Sequence, residues 1–121
     1  MKPLDASQIT DFLKRFDNFQ ESEIRSLELV SPTEIEVTLT AQDNARAFDW
    51  ITVKLYFTAV EDAKLIDNKK LNFIDMSEGI TLLYKSNNFY FAINSLSTIS
   101  SIKQSLLYIM CKSVKYSEGK F

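Results

Sequence analysis

A chain of 121 residues with 45% hydrophobic and 25% charged side chains has the size and composition of one globular domain. Folding at this length buries roughly two thirds of the chain's surface, so stability requires neither metal nor disulfide. One cysteine, two glycines and no histidine exclude a Cys/His zinc site, a histidine-activated nucleophile and a glycine-rich phosphate loop.

The chain opens with a predicted helix over 5–16. Ile9, Phe12, Leu13 and Phe16 repeat at helical spacing along one buried face, and Asp5 with Gln8 has the form of a capping box. Strands at 25–30 and 34–40 then form a hairpin around Ser31, Pro32 and Thr33. Leu27, Leu29, Ile35, Val37 and Leu39 fall on its inner side, and Ser26, Glu28, Glu34, Glu36 and Thr38 on its outer side. Residues 41–49 read as a polar loop. Residues 50–58 give the strongest strand, with Ile51, Val53, Leu55 and Phe57 on one face and Thr52, Lys54, Tyr56 and Thr58 on the other.

Beyond it, 60–70 is a charged connection and 71–76 a short strand. A second hairpin, 80–85 and 89–94, turns at Ser86, Asn87 and Asn88, where asparagine tolerates left-handed backbone. Residues 97–113 read as a closing helix, with Ser97 as N-cap and Ile99, Ile102, Leu106, Ile109 and Met110 on one face. Residues 116–121 form a tail that docks through its two aromatics. The sum is an α+β domain: a mainly antiparallel sheet of about six strands, with an N-terminal and a C-terminal helix packed on one of its faces.

Cys111, close to Ile109 and Met110, reads as a buried apolar side chain, and a single thiol forms no internal disulfide. With a start that lacks the apolar core of a signal peptide, this predicts a cytoplasmic protein. No run approaches the ~18 apolar residues of a membrane span. The carboxylates Glu21, Glu23, Asp43, Asp49, Asp75 and Glu78 are the remaining acid/base candidates. Each reads as a turn, cap or surface residue, so no catalytic or metal-binding residue and no cofactor is expected.

Charge is unevenly distributed. Residues 1–62 carry 6 Lys/Arg against 12 Asp/Glu, and residues 63–121 carry 8 against 4. An acidic first half and a pI near 5.1 are the wrong footprint for phosphate, so no nucleic-acid partner is expected, despite Tyr84, Tyr90 and Phe91 beside several lysines. The outward glutamates Glu28, Glu34 and Glu36 instead predict an acidic sheet face. Such a face serves solubility or edge protection, or it recognises a basic protein; Lys54 on the next strand is placed to neutralise it internally.

The segments carrying this pattern resemble a known group. Phe19-Gln20-Glu21-Ser22-Glu23-Ile24 leads into Leu27-Glu28-Leu29 and Ile35-Glu36-Val37-Thr38-Leu39. A loop with Asp43 follows, then Trp50-Ile51-Thr52-Val53-Lys54-Leu55-Tyr56-Phe57 and Val60-Glu61-Asp62-Ala63. Over residues 16–63 this is similar to small bacterial α+β proteins that include toxin-immunity proteins of polymorphic and contact-dependent inhibition systems. Gln20-Glu21 stands where His-Asp is common in that group. The resemblance implies a non-catalytic protein that binds one cognate toxin and blocks it. Glu28, Glu34, Glu36, Asp43 and Asp49 would meet a basic toxin domain, with Trp50 and Tyr56 as aromatic anchors, and the protein itself would be a monomer or weak homodimer. Two other readings stay open: a carboxylate-dependent hydrolase, and a structural or regulatory subunit of an assembly.

Overall fold

The computed structural model describes all 121 residues, and it is an α+β fold built on one antiparallel sheet of seven strands. The strands are β1 (Lys2–Pro3), β2 (Ile24–Ser31), β3 (Glu34–Asp43), β4 (Asp49–Lys64), β5 (Ile80–Lys85), β6 (Asn88–Ile93) and β7 (Tyr108–Lys120). Two short helices, α1 (Ile9–Arg15) and α2 (Ile99–Lys103), complete the set. The order across the sheet is β2-β3-β4-β7-β6-β5, with β1 lying beside the far half of β7.

The alternation read along β3 and β4 is realised. Ile35, Val37 and Leu39 pair with Phe57, Leu55 and Val53, and all six are buried on the inner face. The helix α1 covers that face. A 3₁₀ turn at Ala6–Gln8 leads into it, capped where the Asp5 amide donates to Gln8 Oε1 at 2.9 Å, and Phe12 packs edge-on against Phe16 and Tyr116 at 5.2 and 4.9 Å. Ser86 and Asn87 turn the β5–β6 hairpin with φ of 53° and 65°, the left-handed pair of a two-residue turn.

Several expectations are corrected. The loop expected at 41–49 is shorter: β3 runs to Asp43 and β4 starts at Asp49, leaving a turn at 44–48 that opens with the 3₁₀ residues Asn44–Arg46. At its other end β4 continues to Lys64, crossing a register shift between Val60 and Asp62 that keeps it paired with β7. The strand expected at 71–76 is a 3₁₀ segment, Asn68–Phe73, started by Asp67, whose carboxylate accepts from Lys69 N at 3.0 Å. It docks on the sheet edge, where the Asn68 side chain accepts from Leu27 N and donates to Leu27 O at 2.9 and 2.8 Å, as a neighbouring strand would.

The largest correction concerns the closing helix. Only Ile99–Lys103 is helical, and its N-cap is Thr98, whose Oγ1 accepts from Ser101 N at 3.1 Å. Residues 108–120, including most of the expected tail, form β7 at the centre of the sheet. Leu107, Ile109 and Cys111 are fully buried toward the main core, while Tyr108 is buried on the opposite side against Ile102 of α2 with Tyr90 and Ala92. A strand covered on both faces is apolar at successive positions, and that run mimics a buried helix. The two helices therefore lie on opposite faces of the sheet. Leu29 shares the phase of Leu27, opposite the buried Ile35, yet on the edge strand β2, with no strand beyond it, it is 62% exposed.

Candidate protein-binding face

The outer face of β2, β3 and β4 is where the sequence places its acidic panel, and the register orders that panel into rows. Glu28, Glu36, Tyr56 and Lys115 lie side by side across four strands; Ser26, Thr38, Lys54 and Ser117 form the next row. Glu28 and Glu36 are directly opposed like charges, a pairing that costs roughly 0.2–1 kcal/mol. Lys54 Nζ approaches Glu36 Oε1 at 3.6 Å and offsets part of it. The Tyr56 hydroxyl donates to the Glu34 carboxylate. That bond, assisted by the Ser31 hydroxyl, holds Glu34 below its ordinary pKa and raises Tyr56 above its own. The panel is thus three carboxylates set among Lys54 and Lys115, a mixed pattern rather than a uniform acidic field.

Two rows further along β4, Trp50 keeps the same outward phase and is 44% exposed. Phe121 lies against it with ring centroids 5.6 Å apart, and the Arg25 guanidinium sits 4.3 Å from the centroid of the same phenyl ring. Arg25 Nη1 also donates to the main-chain oxygen of Phe121 at 2.9 Å, and Arg25 Nε to Glu23 at 3.1 Å. Sequence reading missed Arg25 and Lys115. Their roles depend on which residues the sheet places beside them, and no local motif carries that. The docking aromatics of the tail were the one sign of Phe121.

The other two candidates are placed elsewhere. Asp49 is exposed at the start of β4, beside an open cleft of about 480 Å³ that Arg46, Trp50, Lys120 and Phe121 also line. Asp43 has no exposed surface, so it is a correction to the expected binding set. Arg15 holds its two oxygens at 2.9 and 2.7 Å, Arg46 lies at 3.4 Å, and the Ala45 amide donates at 2.9 Å. Arg15 also bonds Glu118, so one guanidinium ties α1, the β3–β4 turn and β7 together. The Arg15 bond keeps the Asp43 carboxyl below its ordinary pKa. Burial pushes the Cys111 thiol up to about 12, which leaves it protonated and inert near neutrality.

The structure thus brings Glu28, Glu34, Glu36, Tyr56 and Trp50 onto one surface, puts Asp49 at its rim and Asp43 inside. None of its helices is long and apolar enough to cross a membrane. No protein-family model matches the chain, and comparisons with curated proteins and with solved structures gave no match.

Proposed function

We propose that this protein is a cytoplasmic, non-catalytic binding domain of the immunity type, which docks one protein partner on the outer face of β2, β3 and β4. The observation that carries the reading is the opposed pair Glu28 and Glu36 on the same face as the half-exposed Trp50. Solubility and edge protection account for the charges alone, but not for a large aromatic kept half-exposed on the same face. A partner with lysines or arginines around an apolar recess supplies what both lack. The charges would speed and select the encounter, and Trp50 would supply much of the affinity. A basic toxin domain, blocked at a working surface, fits this description.

The test compares affinity capture from native lysate by the wild type and by Glu28→Lys/Glu36→Lys. The expected result is one stoichiometric basic protein retained by the first and lost by the second, associating more slowly as salt rises. A partner held equally by both proteins, or an association rate indifferent to salt, removes the basis for the reading.

A further inference from the structure

The ring of Phe121 is held from two other strands. The last ladder pair of β7 is Lys120 with Ile51, and the same register carried one position further sets Phe121 opposite Trp50. What seats it is a slot with two walls, the guanidinium of Arg25 from β2 at 4.3 Å and the indole of Trp50 from β4 at 5.6 Å. Arg25 adds a hydrogen bond to the residue's main-chain oxygen. Gly119 allows the approach, since a Cβ there would lie 2.8 Å from Thr52 Oγ1, while Thr52 Oγ1 donates to Lys120 O at 3.1 Å. The residue remains 56% exposed, and an open cleft adjoins it.

We infer that Arg25 and Trp50 form a binding slot for an aromatic side chain, that Phe121 fills it in cis, and that a protein partner inserts its own aromatic residue there after displacing Phe121. The slot's chemistry selects that occupant. A planar π system meets both a cation and an aromatic ring there, and the Arg25 donor reads the main-chain oxygen that accompanies any such residue. Phe121 shows the fit with the chain's own side chain. As a tethered occupant at high local concentration it also excludes weak aromatic ligands, so only a partner that gains contacts across the rest of the face displaces it. The inference deepens the function proposed above and rests on it for what the slot is used for; the slot itself is testable without any partner.

Trp50 is the chain's only tryptophan, so its fluorescence reports the slot alone. Phe121→Ala is expected to shift its emission to the red and increase quenching by acrylamide. N-acetylphenylalaninamide should reverse both in Phe121→Ala with saturation in the millimolar range, the affinity scale of one small aromatic amide. The wild type should not respond, nor should Phe121→Ala treated with N-acetylleucinamide, and Arg25→Ala/Phe121→Ala should lose the response. If Phe121→Ala lost its folded circular dichroism spectrum, Phe121→Leu would take its place, keeping bulk while removing the π face. A folded variant with no saturable response to the aromatic amide overturns the slot. So does a wild-type dimer that Phe121→Ala converts to monomer, because the occupant would then be a second copy. Saturable amide binding with a partner indifferent to Glu28→Lys/Glu36→Lys leaves the slot standing and sinks the charged-face reading; the opposite pair of results does the reverse.

Discussion

The carboxylate of Asp43 has exchanged water for two guanidinium groups and a backbone amide, and that exchange determines what the residue does. A buried charge is tolerable only while its partners remain. Arg15→Ala should destabilise by less than the roughly 3–5 kcal/mol that a wholly unpaired buried charge costs, because Arg46 and the Ala45 amide remain. Asp43→Asn, which keeps shape and some hydrogen bonding, should cost less, and midpoints of denaturant unfolding give both values. The folded pKa of Asp43 is depressed, so its contribution is present above the unfolded pKa of about 3.9 and is lost as pH falls through the lower folded value. Acid unfolding of the wild type should steepen below about pH 4. Asp43→Asn should flatten that part of the curve, and an unchanged slope would mean that other carboxylates carry it. Arg15 and Asp43 stand 28 positions apart, so the sequence offered only an acidic residue in an apparent loop.

At the level of elements, the turn before β5 is the least forgiving joint. Gly79 has φ of +74°, and a Cβ there would lie 2.0 Å from the carbonyl oxygen of Asn18. Asp17, Asn18 and Phe19 all have positive φ too, and Phe19 is buried. The two segments lock one another in an uncommon backbone region. Gly79→Ala should therefore destabilise by about 2–4 kcal/mol, the sum of left-handed strain and overpacking, visible as a lowered thermal midpoint.

Elements whose evidence is local were legible in sequence. The stripe of α1, the alternation of β3 and β4, and the β5–β6 turn at Ser86 and Asn87 each depend on neighbours within a few positions. β7 was not legible. Ile102, Leu106, Ile109 and Met110 satisfy a helical period, while Leu107, Ile109 and Cys111 satisfy a period of two. Only the covering of Tyr108 by α2 and the ladder partners on β4 and β6 decide between them. Of the candidate site, strand phase placed Glu28, Glu34, Glu36, Trp50 and Tyr56 outward correctly. It also put Lys54 within reach of them, but it could not show Lys115, which only the β4–β7 register brings beside Tyr56.

At the scale of the molecule, stability is graded across the sheet. β4 and β7 pair with strands on both sides, and Val53, Leu55, Phe57 and Ile109 have no exposed surface. β2 has a free edge guarded only at Leu27 by Asn68. Amide hydrogen exchange should be slowest in the middle of β4 and β7 and fastest, among strand residues, at Leu29 and Val30. Comparable protection of Leu29 and of Leu55 would contradict the edge position of β2.

The central place of β7 also has a consequence during synthesis. It is the seam that joins β2-β3-β4 to β5-β6, and it is translated after all of them. Until residues 108–120 emerge from the ribosome, the nascent chain holds two half-sheets with raw inner margins, β4 on one and β6 on the other. Closure then waits on contacts distant in the chain, which makes it slow and leaves those margins open to wrong pairing. Cellular yield should depend on how long that unsealed interval lasts as much as on how stable the finished domain is.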